Sequence, residues 1–373
     1  MSDTKSEKII RELLSFAGIK INGKNSWDIH IHDRRFYDRV IRHSVLGLGE
    51  SYMDGWWECE AIDQFIHKVL AADLESKVKG NWQIMLHLLR SKLFNLQKSS
   101  RAFQIGEKHY DLDNDLYRAM LDKRMNYTCA YWQNVKTLDE AQEAKLELVC
   151  KKINLQEGMS VLELGCGWGS FAKYAAENYG VRVLGVTVSK KQVELGMEMC
   201  KGLPVELRLQ DYREVDGVYD AVVSIGIMEH VGYKNYRTYM EVVNRCLKSG
   251  GIAFIHTIGR NDSATTANGW TEKYIFPNSM LPSIAQISRA MEKIFIIEDL
   301  HNIGPHYDKT LLAWHQNFEK AWQKLKQKYD ERFYRMWRYY LLMCAGGFRA
   351  RDTQLWQLVM TRPGSEQPLC RFS

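Results

Sequence analysis

The sequence predicts an α/β fold in which a doubly wound, mostly parallel sheet of seven strands carries helices on both faces. From residue 150 onward, short apolar runs alternate with amphipathic ones, which is typical of successive strand–helix units. A glycine-rich turn at 165–169 directly follows the first apolar run. Upstream, Ile9, Ile10, Leu13 and Leu14 recur at helical spacing, so a smaller, mainly helical N-terminal domain is expected.

The elements of the sheet domain are assigned from these apolar runs and the turn residues between them. Strands are expected at 160–164, 181–188, 205–210, 219–227, 251–258, 295–300 and, from a late apolar run, 354–360. Helices are expected at 168–179, 190–201, 235–248 and 283–293. The aromatic-rich stretch 307–345 should form two further helices outside the alternation.

The N-terminal part divides less regularly. Residues 29–33 alternate like a strand, and the glycine-punctuated stretch 46–57 indicates a packed loop or the start of a helix. Residues 82–94 form an amphipathic pattern that suits either a bilayer interface or docking on its own domain. Polar residues at 97–101 indicate a linker. We therefore predict an N-terminal domain at 1–95, a linker at 96–108 and a catalytic domain at 109–373.

Composition excludes several classes of protein. Hydrophobic residues make up 45% of the chain and charged residues 26%, as in an ordinary soluble protein. The eight cysteines form no C-x-x-C pair, and no signal-peptide core opens the chain, so free thiols in a reducing cytoplasm are expected. No apolar stretch approaches the ~20 residues of a membrane-spanning helix. The net charge of +6 fits either a solvated surface or attraction to an anionic partner.

The glycine-rich turn predicts a nucleotide-type ligand. Its pattern, Glu163-x-Gly165-x-Gly167-x-Gly169, is one residue shorter than the dinucleotide-binding fingerprint. The next strand also ends without the carboxylate of that fingerprint. The pattern resembles the first motif of methyltransferases that use S-adenosylmethionine (SAM); the alternative is a purely structural turn.

Polar residues follow the other predicted strands, where ligands of such sheets bind. They occupy 187–189, 210–212, 226–230 and 256–259. Asp211 is suitably placed to accept a hydrogen bond from an adenine amino group. Ser189 and Gln192, at the start of a helix, would bond ribose hydroxyls. Turn geometry alone is the alternative for each position.

Longer blocks resemble the cyclopropane-fatty-acyl-phospholipid synthases, in the bacterial form with an N-terminal extension. The resemblance covers nearly the whole chain. The blocks are Gly-Leu-Gly-Glu-Ser-Tyr-Met-Asp-Gly-Trp-Trp at 47–57, His-Tyr-Asp-Leu-Asp-Asn-Asp at 109–115, Tyr-Thr-Cys-Ala-Tyr-Trp at 127–132, Gly-Cys-Gly-Trp-Gly at 165–169, Gly-Val-Thr-Val-Ser at 185–189, Met-Glu-His-Val-Gly at 228–232, His-Thr-Ile-Gly at 256–259 and Cys-Ala-Gly-Gly-Phe-Arg-Ala-Arg at 344–351.

This resemblance implies transfer of a methylene group from SAM to a cis double bond of an unsaturated phospholipid acyl chain, with bicarbonate as the base. Bicarbonate ligands would be Cys129, largely through its backbone, with Glu229, His256 and Tyr307, while Ile258 would shape the pocket. Cys344 is a further catalytic candidate for which a structural role is favoured. The implied cofactor-binding residues are Tyr127, Thr128, Glu163, Gly165, Cys166, Gly167, Gly169, Thr187, Ser189, Gln192, Gln210, Asp211 and Tyr212.

The resemblance also implies a homodimer in the cytoplasm, peripherally associated with the inner face of the cell membrane, with a lipid-binding or dimerising N-terminal domain and no nucleic-acid partner. Two other readings stay open. One is a SAM-dependent methyltransferase for a small soluble N or O acceptor, and the other is a catalytically silent lipid- or SAM-binding module. By themselves, His256 suits a core histidine and Tyr307 a helix cap.

Overall fold

The computed structural model describes residues 4–74, 113–265 and 268–372. They belong to two compact units, each assembled from segments that are separate in the sequence. The first unit comprises Met1–Met120, Ala267–Pro277 and Leu311–Asp352, and the second comprises Leu121–Thr266, Asn278–Thr310 and Thr353–Ser373.

The helices of the described residues, in chain order, are α1 (Lys5–Phe16), α2 (Arg35–Met53), α3 (Ile62–Ala71), α4 (Asn114–Met120), α5 (Leu138–Lys152), α6 (Ser170–Tyr179), α7 (Lys190–Met199), α8 (Met228–Val231), α9 (Tyr236–Arg245), α10 (Gly269–Tyr274), α11 (Ile284–Met291), α12 (Gly304–Leu325) and α13 (Glu331–Arg349). The strands are β1 (His30–Ile31), β2 (Trp57–Glu58), β3 (Ser160–Leu164), β4 (Arg182–Thr187), β5 (Val205–Leu209), β6 (Tyr219–Ile225), β7 (Leu247–Arg260), β8 (Ile296–Asn302) and β9 (Thr353–Thr361).

The first unit is mainly helical, as the sequence predicts. Its centre is a cluster of buried aromatic rings in which Tyr52 of α2 stacks on Tyr339 of α13, with ring centroids 5.5 Å apart. Trp57 and Trp270 pack edge-on against the same Tyr339. The two helices expected within 307–345 are also confirmed, as α12 and α13.

The second unit contains a seven-stranded sheet of order β5-β4-β3-β6-β7-β9-β8. All neighbouring pairs from β5 to β7 are parallel, and β9 runs antiparallel to both β7 and β8. Buried apolar clusters cover both faces: Phe171 of α6 belongs to one, and Tyr239 of α9 to the other. The predicted doubly wound sheet is confirmed. Its strand order reverses between β3 and β6, the point at which such sheets bind ligands.

The structure corrects two predicted boundaries in the sheet. Helix α9 ends at Arg245 rather than at 248, and β7 begins at Leu247 rather than at 251. Leu247 pairs with Tyr219 of β6 and is 1% exposed, so the chain enters the sheet as soon as the helix ends. The pairing of Leu247 with Tyr219 therefore sets the start of β7, and a register shift separates it from the pairing with β6 that resumes at Ile252.

The structure refines two predictions in the first unit. The stretch 46–57 contains the start of a helix, which is one of the two predicted alternatives: Ser44 has non-helical backbone angles, with φ of 50°, and the helical segment after this kink runs to Met53, with Ser51, Tyr52 and Met53 buried. The strand expected at 29–33 is wrong in its bounds, because it shortens to β1, which pairs with β2.

The predicted amphipathic helix at 82–94, the linker at 97–101 and the domain boundaries between 95 and 109 lie outside the described residues, and that domain division stays a prediction. Within the described ranges, no helix combines the length and the apolar character needed to cross a membrane.

Close contact between β7 and β9 gives a direct test of the fold. A Cβ added at Gly259 would lie 1.9 Å from the ring of Trp356, which is itself 5% exposed and enclosed. Overpacking of this kind costs about 1–3 kcal/mol. We expect Gly259→Ala to lower the midpoint of thermal unfolding.

Gly269→Ala is the matched control, because a Cβ added there meets no atom within 4 Å. It lies in α10, where alanine is the better helix former, and should melt no lower than the wild type. If the Gly259→Ala protein melts like the wild type, the contact with Trp356 is not as tight as described.

Candidate active site

The glycine-rich turn lies at the carboxyl end of β3. Gly165, Gly167 and Gly169 all have left-handed backbone angles, with φ of 74°, 55° and 76°. The N–H groups of Gly165 and Cys166 donate to the carbonyl of Val186, which anchors the turn to β4. Helix α6 then starts at Ser170, so its first N–H groups lie next to the turn.

One position of this turn faces open space. A Cβ added at Gly165 would lie 3.1 Å from Ile227, and one added at Gly169 would lie 2.9 Å from Leu207. At Gly167 it would meet no described atom within 4 Å. The backbone at Gly167 can therefore be approached closely by a ligand, which fits the SAM motif.

Glu163 and Cys166 lie in the interior beside this turn. Burial raises the pKa of the Glu163 carboxyl to about 8 and that of the Cys166 thiol above its usual range. Oε2 of Glu163 has no hydrogen-bond partner among the described residues. A carboxyl in this state is largely protonated at neutral pH and able to donate a hydrogen bond.

The carboxyl end of β4 leads directly into α7. Ser189 is the N-cap of α7, and its hydroxyl accepts a hydrogen bond of 3.4 Å from the N–H of Gln192. The Thr187 hydroxyl donates to Oε1 of Gln192 at 2.8 Å. The prediction that Ser189 and Gln192 open a helix is confirmed, and their binding of a ribose stays a prediction.

After the end of β5, the carboxylate of Asp211 forms an ion pair with Arg213. Arg213 donates to both carboxylate oxygens, at 2.9 and 2.6 Å, and this holds the pKa of Asp211 below its usual range. Gln210 donates to the carbonyl of Glu214. The Tyr212 ring packs edge-on against a buried tyrosine. Exposed ion pairs contribute only about 0–1 kcal/mol, so an adenine amino group would displace Arg213 at little cost, and the role of Asp211 in adenine binding stays a prediction.

A buried polar network supports the segment that contains Tyr127 and Thr128. The amine of Lys145, on α5, donates to Oδ1 of Asn126 at 2.9 Å and to the Thr128 hydroxyl at 3.1 Å. Gln142, one turn earlier, donates to the Thr128 carbonyl at 2.8 Å. Burial lowers the pKa of Lys145 to about 8.

This network was not predicted from the sequence. The available signal is that Gln142 and Lys145 occupy the same helical face as the apolar Leu146 and Val149, where polar residues are unusual. Ser170 completes the network, since its hydroxyl donates to the same Oδ1 of Asn126 at 2.8 Å. The network therefore connects residues 126–128 with α5 and with α6, the helix that follows the glycine-rich turn.

The next residues of the segment bond to the start of α12. The N–H of Ala130 donates to the Thr310 hydroxyl at 3.1 Å, and the N–H of Trp132 donates to Nδ1 of His306 at 2.6 Å. Cys129 and Tyr307, which are next to these residues in the sequence, are 0% and 6% exposed. Burial raises the pKa of the Cys129 thiol, which therefore stays neutral.

Glu229 lies in α8, just after β6, and His256 lies towards the carboxyl end of β7. Oε1 of Glu229 accepts a hydrogen bond of 2.6 Å from the N–H of Ile258, and burial raises the pKa of this carboxyl to about 7. Burial, with the charges of Lys145 and Lys152, holds the pKa of His256 well below its usual range. The imidazole is therefore neutral at physiological pH.

Two polar atoms of this pair are orphaned. Oε2 of Glu229 and Nε2 of His256 are buried and have no hydrogen-bond partner among the residues that the structure describes. Leaving such atoms unpaired costs about 1–3 kcal/mol each. A bound polar group with donor and acceptor atoms would satisfy atoms of this kind, and bicarbonate has that chemistry.

The structure brings four of the five predicted catalytic residues into one unit. Cys129, Glu229, His256 and Tyr307 belong to the second unit, and Cys344 belongs to the first, on α13. The carbonyl of His256 accepts from the N–H of Gly226, and a Cβ at Gly226 would lie 3.0 Å from the Thr128 side chain. These contacts link the ends of β6 and β7 to the 126–132 segment. Burial raises the pKa of Cys344 to about 12, and a catalytic role for it stays a prediction.

Sequence relatives of this chain include enzymes that are named for the modification of fatty-acyl lipids. The chain is 50% identical over 355 residues to the cyclopropane-fatty-acyl-phospholipid synthase of Escherichia coli K12, covering 95% of this chain and 93% of that one. It is 33% identical to the tuberculostearic acid methyltransferase UfaA1 of Mycobacterium tuberculosis, over 87% of this chain and 81% of the other.

Solved structures agree with the sequence relatives. The crystal structure of the mycolic acid cyclopropane synthase CmaA1 complexed with SAH and CTAB matches with a TM-score of 0.63 and 30% identity, over 69% of this chain and 97% of that one. The family model for mycolic acid cyclopropane synthetase matches residues 97–358, which is more than half of the chain. With its Rossmann-like sheet and glycine turn, the chain belongs to this family of SAM-dependent methyltransferases.

Proposed function

We propose that this protein converts the cis double bond of an unsaturated phospholipid acyl chain into a cyclopropane ring, with SAM as the donor and bicarbonate as the base. The observation that carries the proposal is the buried pair of orphaned atoms, Oε2 of Glu229 and Nε2 of His256. A transfer to an N or O acceptor needs no such anion site. The relative with 50% identity is named for the same reaction.

The reaction imposes two requirements on the protein. SAM, when bound, supplies an electrophilic methyl group. Methylation of an alkene leaves a carbocation, and ring closure uses a C–H bond of the new methyl group and releases its proton. Water must be kept from the cation, and a base must lie close to it. Bicarbonate, when bound, supplies that base.

The site residues would each make a different contact with the base. The backbone at Cys129, the neutral ring of His256 and the hydroxyl of Tyr307 would donate hydrogen bonds to it. Glu229, with a pKa of about 7, can carry a proton and so avoid repulsion between two anions in contact. Ile258 fixes Glu229 through its N–H, and its apolar side chain would shape the pocket.

The proposal includes a setting for the enzyme. We place it in the cytoplasm at the inner face of the cell membrane, as a homodimer whose N-terminal domain binds lipid or the second copy. The net charge of +6 supports attraction to anionic phospholipid, and no nucleic-acid partner is proposed. The relative named a phospholipid synthase matches 95% of the chain, including the N-terminal part.

The function is tested on vesicles of cis-unsaturated phospholipid with labelled SAM, followed by analysis of the fatty acids. We expect labelled cyclopropane chains. Glu229→Gln and His256→Ala should reduce their rate by roughly two to four decades, because loss of one partner of a buried ion typically costs about 3–5 kcal/mol.

Glu198→Gln, at an exposed position of α7, is the control for loss of a carboxylate and should keep full activity. Full activity of both Glu229→Gln and His256→Ala in bicarbonate-free buffer would reject the anion base. A methyl-branched product without a ring would reject cyclopropane formation.

SAM binding is tested at Gly167. In Gly167→Val the new side chain occupies the open space that SAM would need, so we expect the SAM dissociation constant from isothermal titration to rise at least about tenfold, or about 1.4 kcal/mol. Gly158→Val is the matched control, because Gly158 also has a positive φ, of 81°, and open space, but precedes β3 at its amino end. Equal SAM affinity in the two variants would count against the proposed site.

The raised pKa of Glu229 predicts a pH-dependent stability. Below its usual pKa of 4.5 the carboxyl is protonated in both folded and unfolded chains. As the pH rises toward the folded-state value of about 7, the unfolded chain ionises first, and the folded state loses relative stability. Glu229→Gln does not ionise and keeps an oxygen for the N–H of Ile258. The melting temperature of the variant should therefore rise relative to that of the wild type between about pH 5 and pH 8. If the two melting temperatures plotted against pH run parallel, the pKa of Glu229 is not raised.

A further inference from the structure

Gln357 is a buried amide in the middle of β9, with 0% of its surface exposed. The antiparallel register pairs it with His256 of β7 on one side and with His301 of β8 on the other. Directly opposed residues of neighbouring strands project from the same face of a sheet. The next residues of β9 on that face, Leu355 and Val359, are apolar and buried.

Burying an amide in such surroundings costs about 1–3 kcal/mol of folding free energy unless the amide is hydrogen-bonded. Nε2 of Gln357 lies 3.4 Å from Nδ1 of His256, and Oε1 has no hydrogen-bond partner among the described residues. The other cross-strand neighbour is engaged elsewhere, since Nδ1 of His301 lies 3.2 Å from the amine of Lys152. The described contact that compensates the burial of Gln357 is therefore the one with His256.

This contact determines where His256 carries its proton. A neutral imidazole has one N–H and one acceptor nitrogen, and an amide nitrogen only donates. Nδ1, facing the amide nitrogen, must accept. The ring proton then lies on Nε2, which is the buried atom without a described partner.

We infer that Gln357 is a positioning residue that holds the proton of His256 on Nε2, so that the ring presents an N–H donor to the bound base. With the other tautomer, Nε2 would present a lone pair to an anion, and the two would repel. The identity of the acceptor as bicarbonate rests on the proposed function; the tautomer does not.

The tautomer is measured by NMR on the full chain with ¹⁵N-labelled histidine rings, in the absence of SAM, lipid and bicarbonate. The His256 signals are identified by their loss in His256→Ala. We expect a protonated Nε2 and an unprotonated Nδ1 in the wild type. A proton on Nδ1 would overturn the inference, and this measurement needs no variant of Gln357.

Gln357→Leu removes the donor at nearly constant volume. We expect the second tautomer of His256 to become populated, and the bicarbonate concentration for half-maximal ring formation to rise about tenfold while the SAM dissociation constant stays unchanged. A wild-type tautomer together with a wild-type bicarbonate requirement would overturn the role of Gln357.

Gln354→Leu is the matched control. Gln354 is a buried glutamine of the same strand, on the opposite face, and accepts a hydrogen bond from Asn302 instead. It should keep the wild-type tautomer and bicarbonate requirement, and loss of either would overturn the assignment to Gln357. If the wild type forms no cyclopropane, the proposed function fails, whereas the tautomer still decides whether Gln357 orients His256.

Discussion

The amine of Lys145 lies inside the second unit, and the arrangement of the site depends on its two hydrogen bonds. It donates to Asn126 and Thr128, and the same Asn126 oxygen accepts from Ser170 at the start of α6. One buried amine therefore joins the segment before the sheet, helix α5 and the helix after the glycine turn. Without it, the Thr128 hydroxyl and the Asn126 oxygen would each lose a buried partner, and the segment would be less firmly held.

Burial also sets the charge of the site. It disfavours the ionised form of every group, so the pKa of Glu229 is raised while that of His256 is lowered. Both side chains approach neutrality near pH 7. Lys145 and Lys152 add positive potential at His256. This charge state suits the external anion that we propose as the base, because the site's own carboxyl carries little negative charge.

The fold was predictable where burial leaves a pattern in the sequence. The strands of a parallel sheet are covered on both faces, and residues 161–164 accordingly contain three apolar residues and one buried glutamate. The start of β7 was not predictable, because 248–250 are exposed and lie in a register shift between Leu247 and Ile252, the residues that pair with β6.

The same distinction, between positions that leave a pattern in the sequence and positions that only three-dimensional contacts reveal, holds for the site. Glu229 follows the end of β6 and His256 lies towards the carboxyl end of β7, where polar residues indicate a ligand, and both were predicted as candidates. Lys145 and Gln357 lie inside a helix and a strand, where one polar residue looks like part of a solvated face. Only the three-dimensional structure shows that both are buried and which atoms they contact.

The position of β9 has a consequence for how the chain matures during synthesis. His256 and Gln357 are neighbours across the sheet but 101 positions apart in the sequence. Because β9 fits between β7 and β8, the outer edge of β7 stays unpaired on the ribosome until β9 has emerged. Pairing over such a distance is slow, and an open strand edge invites association with other chains. The nascent protein therefore completes its sheet and acquires the contact between Gln357 and His256 in the same late step.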